Sequence, residues 1–81
     1  MKYGLYSVRD LLVGFNGVSV DFSDDSARRN FAHAVNRSDS LFNSHPEHYV
    51  LYKVGEFDSH TGEITPCDHQ IVTDAINVKE V

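Results

Sequence analysis

The sequence predicts an α+β domain, in which a small antiparallel sheet of three to five strands carries one amphipathic helix on one face. Three observations predict it: strand-forming residues open the chain, apolar residues at helical spacing follow Ser23, and strand-forming residues return from Tyr49. With 81 residues, the chain has room for a single core. We place this one domain at residues 1–73 and expect a tail of uncertain order at 74–81.

The first strand covers residues 3–8, which are rich in strand formers. Asn16-Gly17 then separates two apolar runs, 11–15 and 18–22. Because both central residues of a two-residue hairpin turn need positive φ, Asn-Gly predicts the turn of a hairpin at this point. A loop that holds only one short strand is the alternative, since Gly14 weakens the first arm.

The helix is expected to begin after Ser23, whose side chain can cap free N–H groups. Two acidic residues follow in the first turn, where the helix dipole favours negative charge. Four apolar side chains then recur at i, i+4, i+7 and i+8, which places them on one helical face: Ala27, Phe31, Ala34 and Val35. Polar residues 36–40 end the helix, and Leu41-Phe42 is expected to return to the core.

The clearest strand is Tyr49–Asp58, which is mostly apolar on both faces and is therefore expected to lie centrally in the sheet. Gly62 allows a turn, and residues 63–65 return antiparallel. Pro66 should stop ladder pairing because it has no N–H to donate, which leaves 70–73 as a further edge strand. The expected core joins helix and strand side chains: Phe31, Ala34, Val35, Leu5, Leu51 and Phe57.

Charge is distributed unevenly along the chain. Residues 1–40 hold five basic and five acidic residues, whereas residues 41–81 hold two basic and seven acidic residues, which accounts for the net charge of -5. This balance excludes a protein that binds nucleic acid by overall charge alone. The single cysteine, Cys67, excludes an intrachain disulfide, and no apolar run approaches the ~20 residues that span a bilayer. We therefore expect an intracellular protein without a membrane partner.

Basic residues cluster on the predicted helix and are the first candidates for binding nucleic acid. Arg28 lies beside a stripe formed by Arg29, His33 and Arg37, which recur at intervals of four and could contact phosphates. The alternative is a solvated helix face, or pairing of the arginines with acidic residues of the first turn.

Tyrosines offer a second candidate surface: Tyr3, Tyr6, Tyr49 and Tyr52. Aromatic residues of a sheet can stack on single-stranded bases, but packing in the core or in a dimer is the alternative reading. We include Tyr52 and its neighbour Lys53 with the helix residues in the candidate nucleic-acid-binding set.

Metal binding and catalysis have little support in the sequence. The spacings His45-x-x-His48 and Cys67-x-His69 do not match a zinc-finger arrangement, so we expect no metal site. There is no phosphate-binding glycine loop, nucleophile elbow or paired-carboxylate motif. We therefore expect a protein that is not an enzyme and needs no cofactor.

Several short motifs occur in a fixed order. Tyr3-Gly4-Leu5-Tyr6 opens the chain, Asp-Asp-Ser-Ala-Arg-Arg-Asn-Phe follows at 24–31, and His45-Pro46-Glu47 leads into Tyr52–Asp58 and Thr61-Gly62. In this order they resemble the small nonstructural protein of gokushoviruses and related single-stranded DNA bacteriophages (Microviridae), over roughly residues 3–64.

The resemblance implies a role but no chemistry. Members of that family are labelled nonstructural or DNA-binding proteins, and are likened to the small phage protein that switches replication from duplex to single-stranded DNA synthesis and packaging. This implies single-stranded DNA, or phage replication and packaging proteins, as partners in the host cytoplasm. The family supplies no catalytic residues to carry over.

Two functions follow as expectations. The first is a non-enzymatic phage factor that acts in genome replication and packaging and binds single-stranded DNA or the replication complex. The alternative is a protein–protein adaptor that uses its acidic second half and does not touch DNA. A homo-oligomer, dimeric or larger, is expected in either case, because the domain is small and its sheet edge needs protection.

Overall fold

The computed structural model describes residues 1–80 and confirms the α+β fold class. Four antiparallel strands form one sheet in the order β2-β1-β3-β4. Their bounds are Lys2–Asp10 for β1, Gly14–Asp21 for β2, Tyr49–Asp58 for β3 and Ile64–Asp74 for β4. Three helices accompany them, α1 at Asp24–Val35, α2 at Leu41–Ser44 and α3 at Ala75–Val78, with a 3-10 turn at Pro46–His48.

One face of the sheet carries the helices, and the core lies between them. The buried cluster there consists of apolar side chains from the sheet and the helices: Tyr6, Ala27, Phe31, Val35, Tyr49, Leu51 and Ala75. Phe42 of α2 extends the cluster, with its ring centroid 5.8 Å from that of Phe31 and 4.6 Å from that of Tyr49. We call this side the helix-bearing face. None of the helices in residues 1–80 is long and apolar enough to span a bilayer.

The start of α1 is confirmed, and polar contacts fix it to the sheet. The Ser23 hydroxyl accepts a hydrogen bond from the Ser26 N–H at 3.1 Å, which caps the helix. The Tyr6 hydroxyl donates to Asp24 Oδ1 at 2.6 Å, and Asn30 Nδ2 donates to Asp21 Oδ2 at 2.8 Å. Through these contacts, both β1 and β2 hold the first half of the helix.

The turn between β1 and β2 lies at residues 11–13, so the predicted turn at Asn16-Gly17 is wrong. Asp10 Oδ1 accepts the Leu12 N–H at 2.9 Å, and Gly14 has φ 128°, a value that favours glycine. Asn16-Gly17 instead forms an irregularity inside β2, where Ser7 pairs with Val18 but Arg9 pairs with Phe15. The alternative, a single strand within this region, is nearer to the structure.

Strand β3 is central, as predicted, because it pairs with β1 on one side and with β4 on the other. Gly62 turns the chain with φ 77°. Pro66 does not end pairing, and the prediction of two separate segments at 63–65 and 70–73 is wrong: β4 is one strand with an irregular register. Because β4 is an edge strand, it tolerates a proline, which has no N–H to donate.

The end of the chain contributes to the core, beyond the boundary expected at residue 73. Ala75 is fully buried, and Asp74 Oδ1 caps α3 by accepting the Asn77 N–H at 2.8 Å. Asn36 Nδ2 donates to the Val78 carbonyl at 3.0 Å, which joins α3 to the end of α1. Val81, the last residue of the predicted tail, lies outside the described residues.

Two of the expected core residues lie on the other side of the sheet. Leu51 and Phe57 are separated by an even number of residues, so a regular strand would place them on the same face. However, β3 has an extra residue near Val54, where Tyr6 pairs with Lys53 but Leu5 pairs with Gly55. This bulge moves Phe57 to the face opposite Leu51, where it meets Leu5.

Candidate functional site

The second face of the sheet is covered by no other part of residues 1–80, and we call it the uncovered face. Since Tyr6 and Val8 point to the helices, strand alternation directs their neighbours Leu5 and Ser7 to the opposite side. Residues of the neighbouring strands that pair with Leu5 and Ser7 lie on the same face, and several are apolar, such as Val20 opposite Leu5. Val18 is 61% exposed there, which is unusual for a valine on a sheet face.

One end of the uncovered face carries a cluster of rings around an arginine, which we call the aromatic end: Arg9, Phe15, Tyr52 and His69. The ring centroid of Phe15 lies 5.3 Å from that of Tyr52 and 5.2 Å from that of His69, in edge-to-face arrangements. The Arg9 guanidinium carbon lies 5.7 Å from the centre of the Phe15 ring. Its Nη1 also approaches the Tyr52 hydroxyl at 3.5 Å.

The register of the sheet brings these residues together from all four strands. The irregularity at Asn16-Gly17 places Phe15 opposite Arg9, and the Ser7 hydroxyl holds that bulge by donating to the Asn16 carbonyl at 2.8 Å. Tyr52 pairs with Ser7 on one side and with Ile71 on the other. The bulge lies where a turn was predicted, and it places the Phe15 ring next to Tyr52.

The other end of the uncovered face is almost purely apolar, and we call it the apolar end. Its side chains line a shallow depression of about 490 Å³ that crosses all four strands: Leu5, Val18, Val20, Val54, Phe57, Ile64 and Pro66. Tyr3 and Phe22 border it with ring centroids 5.4 Å apart. Among the residues of the two ends, Arg9 alone carries a formal charge.

Acidic side chains collect instead where β3 turns into β4. Glu56, Asp58 and Glu63 lie around a small pocket with Lys2. The pKa of Asp58 is below its usual value because the His60 and Thr61 N–H groups donate to its carboxylate, with a smaller effect from nearby positive charge. This group carries part of the acidity of the second half of the chain.

The predicted basic stripe is only partly a helical stripe. Arg29 and His33 are exposed on α1, but the helix ends at Val35 and Arg37 lies beyond it. Arg28 pairs with Asp25 at 2.7 Å, as the alternative reading expected, and Arg37 pairs with Asp39 at 3.0 Å. Two of the three arginines therefore have acidic neighbours, and DNA contact by this group stays a prediction.

Tyr52 and Lys53 do not share a surface with the helix residues or with each other. Tyr52 belongs to the aromatic end, whereas Lys53 pairs with Tyr6 and so points to the helix-bearing face. The tyrosines divide in the same way: Tyr6 and Tyr49 are buried in the core, and Tyr3 lies on the uncovered face with Tyr52. Packing in the core therefore applies to Tyr6 and Tyr49, whereas base stacking by Tyr3 and Tyr52 stays a prediction.

The predicted site omitted Arg9, Phe15 and His69. Alternation along the first strand, from Tyr3 to Arg9, was the signal that could have placed Arg9 beside the sheet tyrosines. His69 was considered only for metal binding with Cys67, and the described part of the chain contains no group of three or more residues placed to hold a metal ion. The rings of His45 and His48 stack with centroids 5.7 Å apart.

The fold and the site define a small α+β protein with helices on one sheet face and an aromatic and apolar surface on the other. Residues 3–78 match the family model described as "Phage ORF5 protein", and the chain belongs to this phage protein family. No curated protein and no solved structure matches the chain. The phage origin suggested by the sequence motifs is confirmed at this level.

Proposed function

We propose that this phage protein is a non-enzymatic nonstructural factor, of the kind found in gokushoviruses and related Microviridae, that acts in genome replication and packaging in the host cytoplasm. It does so by binding single-stranded DNA through the aromatic end of the uncovered face. The observation that carries the proposal is the group of exposed Phe15, half-buried Tyr52 and exposed His69 beside Arg9 on a sheet surface. The phage family and the sequence motifs support the context.

Such a surface suits single strands by its chemistry. Unpaired bases expose ring faces, and stacking on aromatic side chains is favourable for every base, so that binding is tolerant of sequence. Phe15 is 44% exposed and is fixed by its neighbours, which reduces the conformational entropy lost on binding. Arg9 adds a cation for the phosphate backbone. A duplex offers no free base faces and is expected to bind more weakly.

The aromatic end is a better primary site than the basic residues on and after α1. Arg28 and Arg37 already have carboxylate partners, and phosphate would have to compete with them. Since such exposed ion pairs are worth only about 0–1 kcal/mol, these arginines still serve as a secondary contact. Neither group includes Lys53, which lies on the opposite face from Tyr52.

Fluorescence anisotropy with a labelled oligothymidylate of about 16 nucleotides tests the proposal. Tyr52→Ala and Phe15→Ala are each expected to weaken binding about tenfold, because loss of one base-stacking ring costs about 1–3 kcal/mol. The control is Arg29→Ala with Arg37→Ala, which should weaken binding less than either ring variant. Equal affinity of the wild type and the ring variants, or no binding at low salt, would contradict the proposal.

Salt dependence separates the two candidate surfaces. Each phosphate contact on a single strand gives a slope of about -0.7 in log affinity against log salt. Binding through Arg9 alone is expected to give a slope near that value between about 50 and 200 mM salt, whereas binding through three arginines should give about -2. A slope near -2 that flattens in the Arg29→Ala, Arg37→Ala variant would move the site to α1.

A second candidate function is the adaptor that does not touch DNA, and the acidic group at the turn from β3 to β4 favours it. Glu56, Asp58 and Glu63 offer a basic replication or capsid protein a concentrated negative surface. Pull-down from infected cells, with and without nuclease, distinguishes the two functions. Partners that survive nuclease treatment and are lost on Glu56→Gln with Glu63→Gln would support the adaptor.

A further inference from the structure

We infer that the apolar end of the uncovered face binds a second copy of this chain and forms a symmetric dimer. The aromatic end, proposed above for DNA, lies about four residues further along β1, or roughly 13 Å from Leu5. The two surfaces are therefore separate enough to be tested independently. The dimer does not depend on the proposed function, because it follows from the apolar end alone.

The charge pattern of the apolar end suits contact between identical copies. In a symmetric dimer the same patch meets itself, so any charge on the patch is brought close to a like charge. The seven side chains that line the apolar end include no ionisable group. The depletion of charge resembles the centre of protein–protein interfaces, and the surface lacks the cations expected of a nucleic-acid site.

The exposure of these side chains exceeds what an isolated domain of this size needs to present to water. Val18, Val20 and Ile64 are each more than half exposed, although they line the same depression, the two valines from β2 and Ile64 from β4 on the opposite edge. Clustered apolar residues of this kind mark interaction surfaces, whereas scattered ones do not. The opposite face has a compact core, so the uncovered face is where a partner adds apolar burial.

The area available fits a weak dimer. Four strands spaced about 4.8 Å apart, with about four residues of each in the apolar end, give a flat area of roughly 250 Å² per copy. The relief of the side chains increases this value, so that a pair of copies buries an area below about 1,000 Å², in the range of weak, transient interfaces. The two sheets would stack about 10 Å apart, as in other packed sheet pairs.

Sedimentation velocity over a range of about 1–100 µM tests the dimer with Val20→Glu as the variant. Val20 is 55% exposed, so a glutamate there leaves the core intact but places two like charges together in the dimer. The matched control is Leu41→Glu, which changes another apolar residue that is more than half exposed, on α2 and on the other side of the sheet. Far-UV circular dichroism checks that both variants are folded.

The wild type and Leu41→Glu are expected to dimerise with similar affinity, and Val20→Glu to associate at least tenfold more weakly. Ile64→Lys, on the opposite edge strand, provides an independent variant with the same expected result. A wild type that stays monomeric at 100 µM, or a dimer that Leu41→Glu weakens and Val20→Glu does not, would overturn the inference. Tyr52→Ala should leave the dimer unchanged, so failure of DNA binding and failure of dimerisation give different results.

Discussion

The two faces of the sheet have similar apolar composition but opposite surroundings. On the helix-bearing face, Phe31 and Val35 of α1 cover the strand residues, and every buried side-chain polar atom of residues 1–80 has a hydrogen-bond partner. On the uncovered face, equally apolar side chains such as Val18 remain exposed. Apolar character alone therefore does not locate the core, because it also marks interaction surfaces.

The polar residues follow the same division. Asp21, Asp24 and Tyr6 form hydrogen bonds that tie α1 to the sheet, so their function is structural. Arg9 on the uncovered face instead contacts the rings of Phe15 and Tyr52, and its side chain is exposed to solvent. Equivalent substitutions on the two faces should therefore differ in the size of their effect and in the property that they change, stability on the helix-bearing face and binding on the uncovered face.

The largest expected contrast is between two phenylalanines. Phe31→Ala on the helix-bearing face should lower the free energy of unfolding by about 3–5 kcal/mol, because Phe31 is 5% exposed and leaves a cavity. The total free energy of unfolding of a domain of this size is about 4–12 kcal/mol, so the variant should be marginally folded. Phe15→Ala at the aromatic end should cost about 1 kcal/mol or less. Urea unfolding followed by circular dichroism measures both.

If Phe15→Ala lowered the free energy of unfolding as much as Phe31→Ala does, the aromatic end would be part of a core. That result would contradict the distinction between the two faces. Val18→Ala is a useful control on the same face, with an expected change within about 0.5 kcal/mol in the monomer.

Two tyrosines give the second contrast, which is smaller and depends on pH. Burial raises the pKa of the Tyr6 phenol, and its hydrogen bond to Asp24 and the negative charges of Asp24 and Asp21 raise it further. A raised pKa means that the stabilising contribution is complete below the unfolded value of about 10 and is lost as pH increases above it, at about 1.4 kcal/mol per pH unit. The native protein should therefore unfold readily in strong alkali.

Tyr6→Phe removes both the hydrogen bond to Asp24 and the ionisable phenol. It is expected to cost about 1–2 kcal/mol at neutral pH, because a buried hydroxyl bonded to a carboxylate is lost, and to flatten the alkaline part of the stability profile. Tyr3→Phe, on the uncovered face, should change neither quantity. Equal alkaline profiles for the wild type and Tyr6→Phe would show that another group controls unfolding at high pH.

The sequence could predict the helix-bearing face because its signals are local. Ser23 as a cap and the spacing of Ala27, Phe31 and Val35 are properties of neighbouring residues, and the structure reproduces them. The set of side chains on the uncovered face depends on strand register, because one extra residue in a strand moves all following side chains to the opposite face. The bulge near Val54 did this for Phe57.

The aromatic end also depends on how the strands pair, and not on neighbouring residues in the sequence. Phe15 reaches Tyr52 only because Asn16-Gly17 forms a bulge within β2 and Gly14 ends the preceding turn. Asn-Gly has a strong preference for hairpin turns, but Asp10 accepts the Leu12 N–H and closes a turn at residues 11–13 first. Pairing with β1 then determined the local structure, since tertiary context overrides such preferences.

The smallest expected contrast is between two aspartates at the same end of the sheet, one at the end of β2 and one at the end of β3. The pKa of Asp21 is lowered by hydrogen bonds from the Ser26 hydroxyl, the Asn30 amide and the Phe22 N–H, together with the charge of Arg29. The pKa of Asp58 is lowered by N–H groups of its turn. For a lowered pKa, the stabilising contribution is present above the unfolded value of about 3.9 and is lost as pH falls towards the folded value.

Asp21→Asn is expected to cost about 1 kcal/mol at pH 7, and the cost should become smaller in acid as the wild-type carboxyl becomes protonated. Asp58→Asn should cost less, because its carboxylate stabilises only a turn, whereas Asp21 joins β2 to α1. Thermal unfolding of the wild type and both variants between about pH 2 and pH 7 measures the difference. A larger effect at Asp58 would mean that the turn between β3 and β4, and not the contact between sheet and helix, limits stability in acid, and it would move the weak point of the fold away from the helix-bearing face.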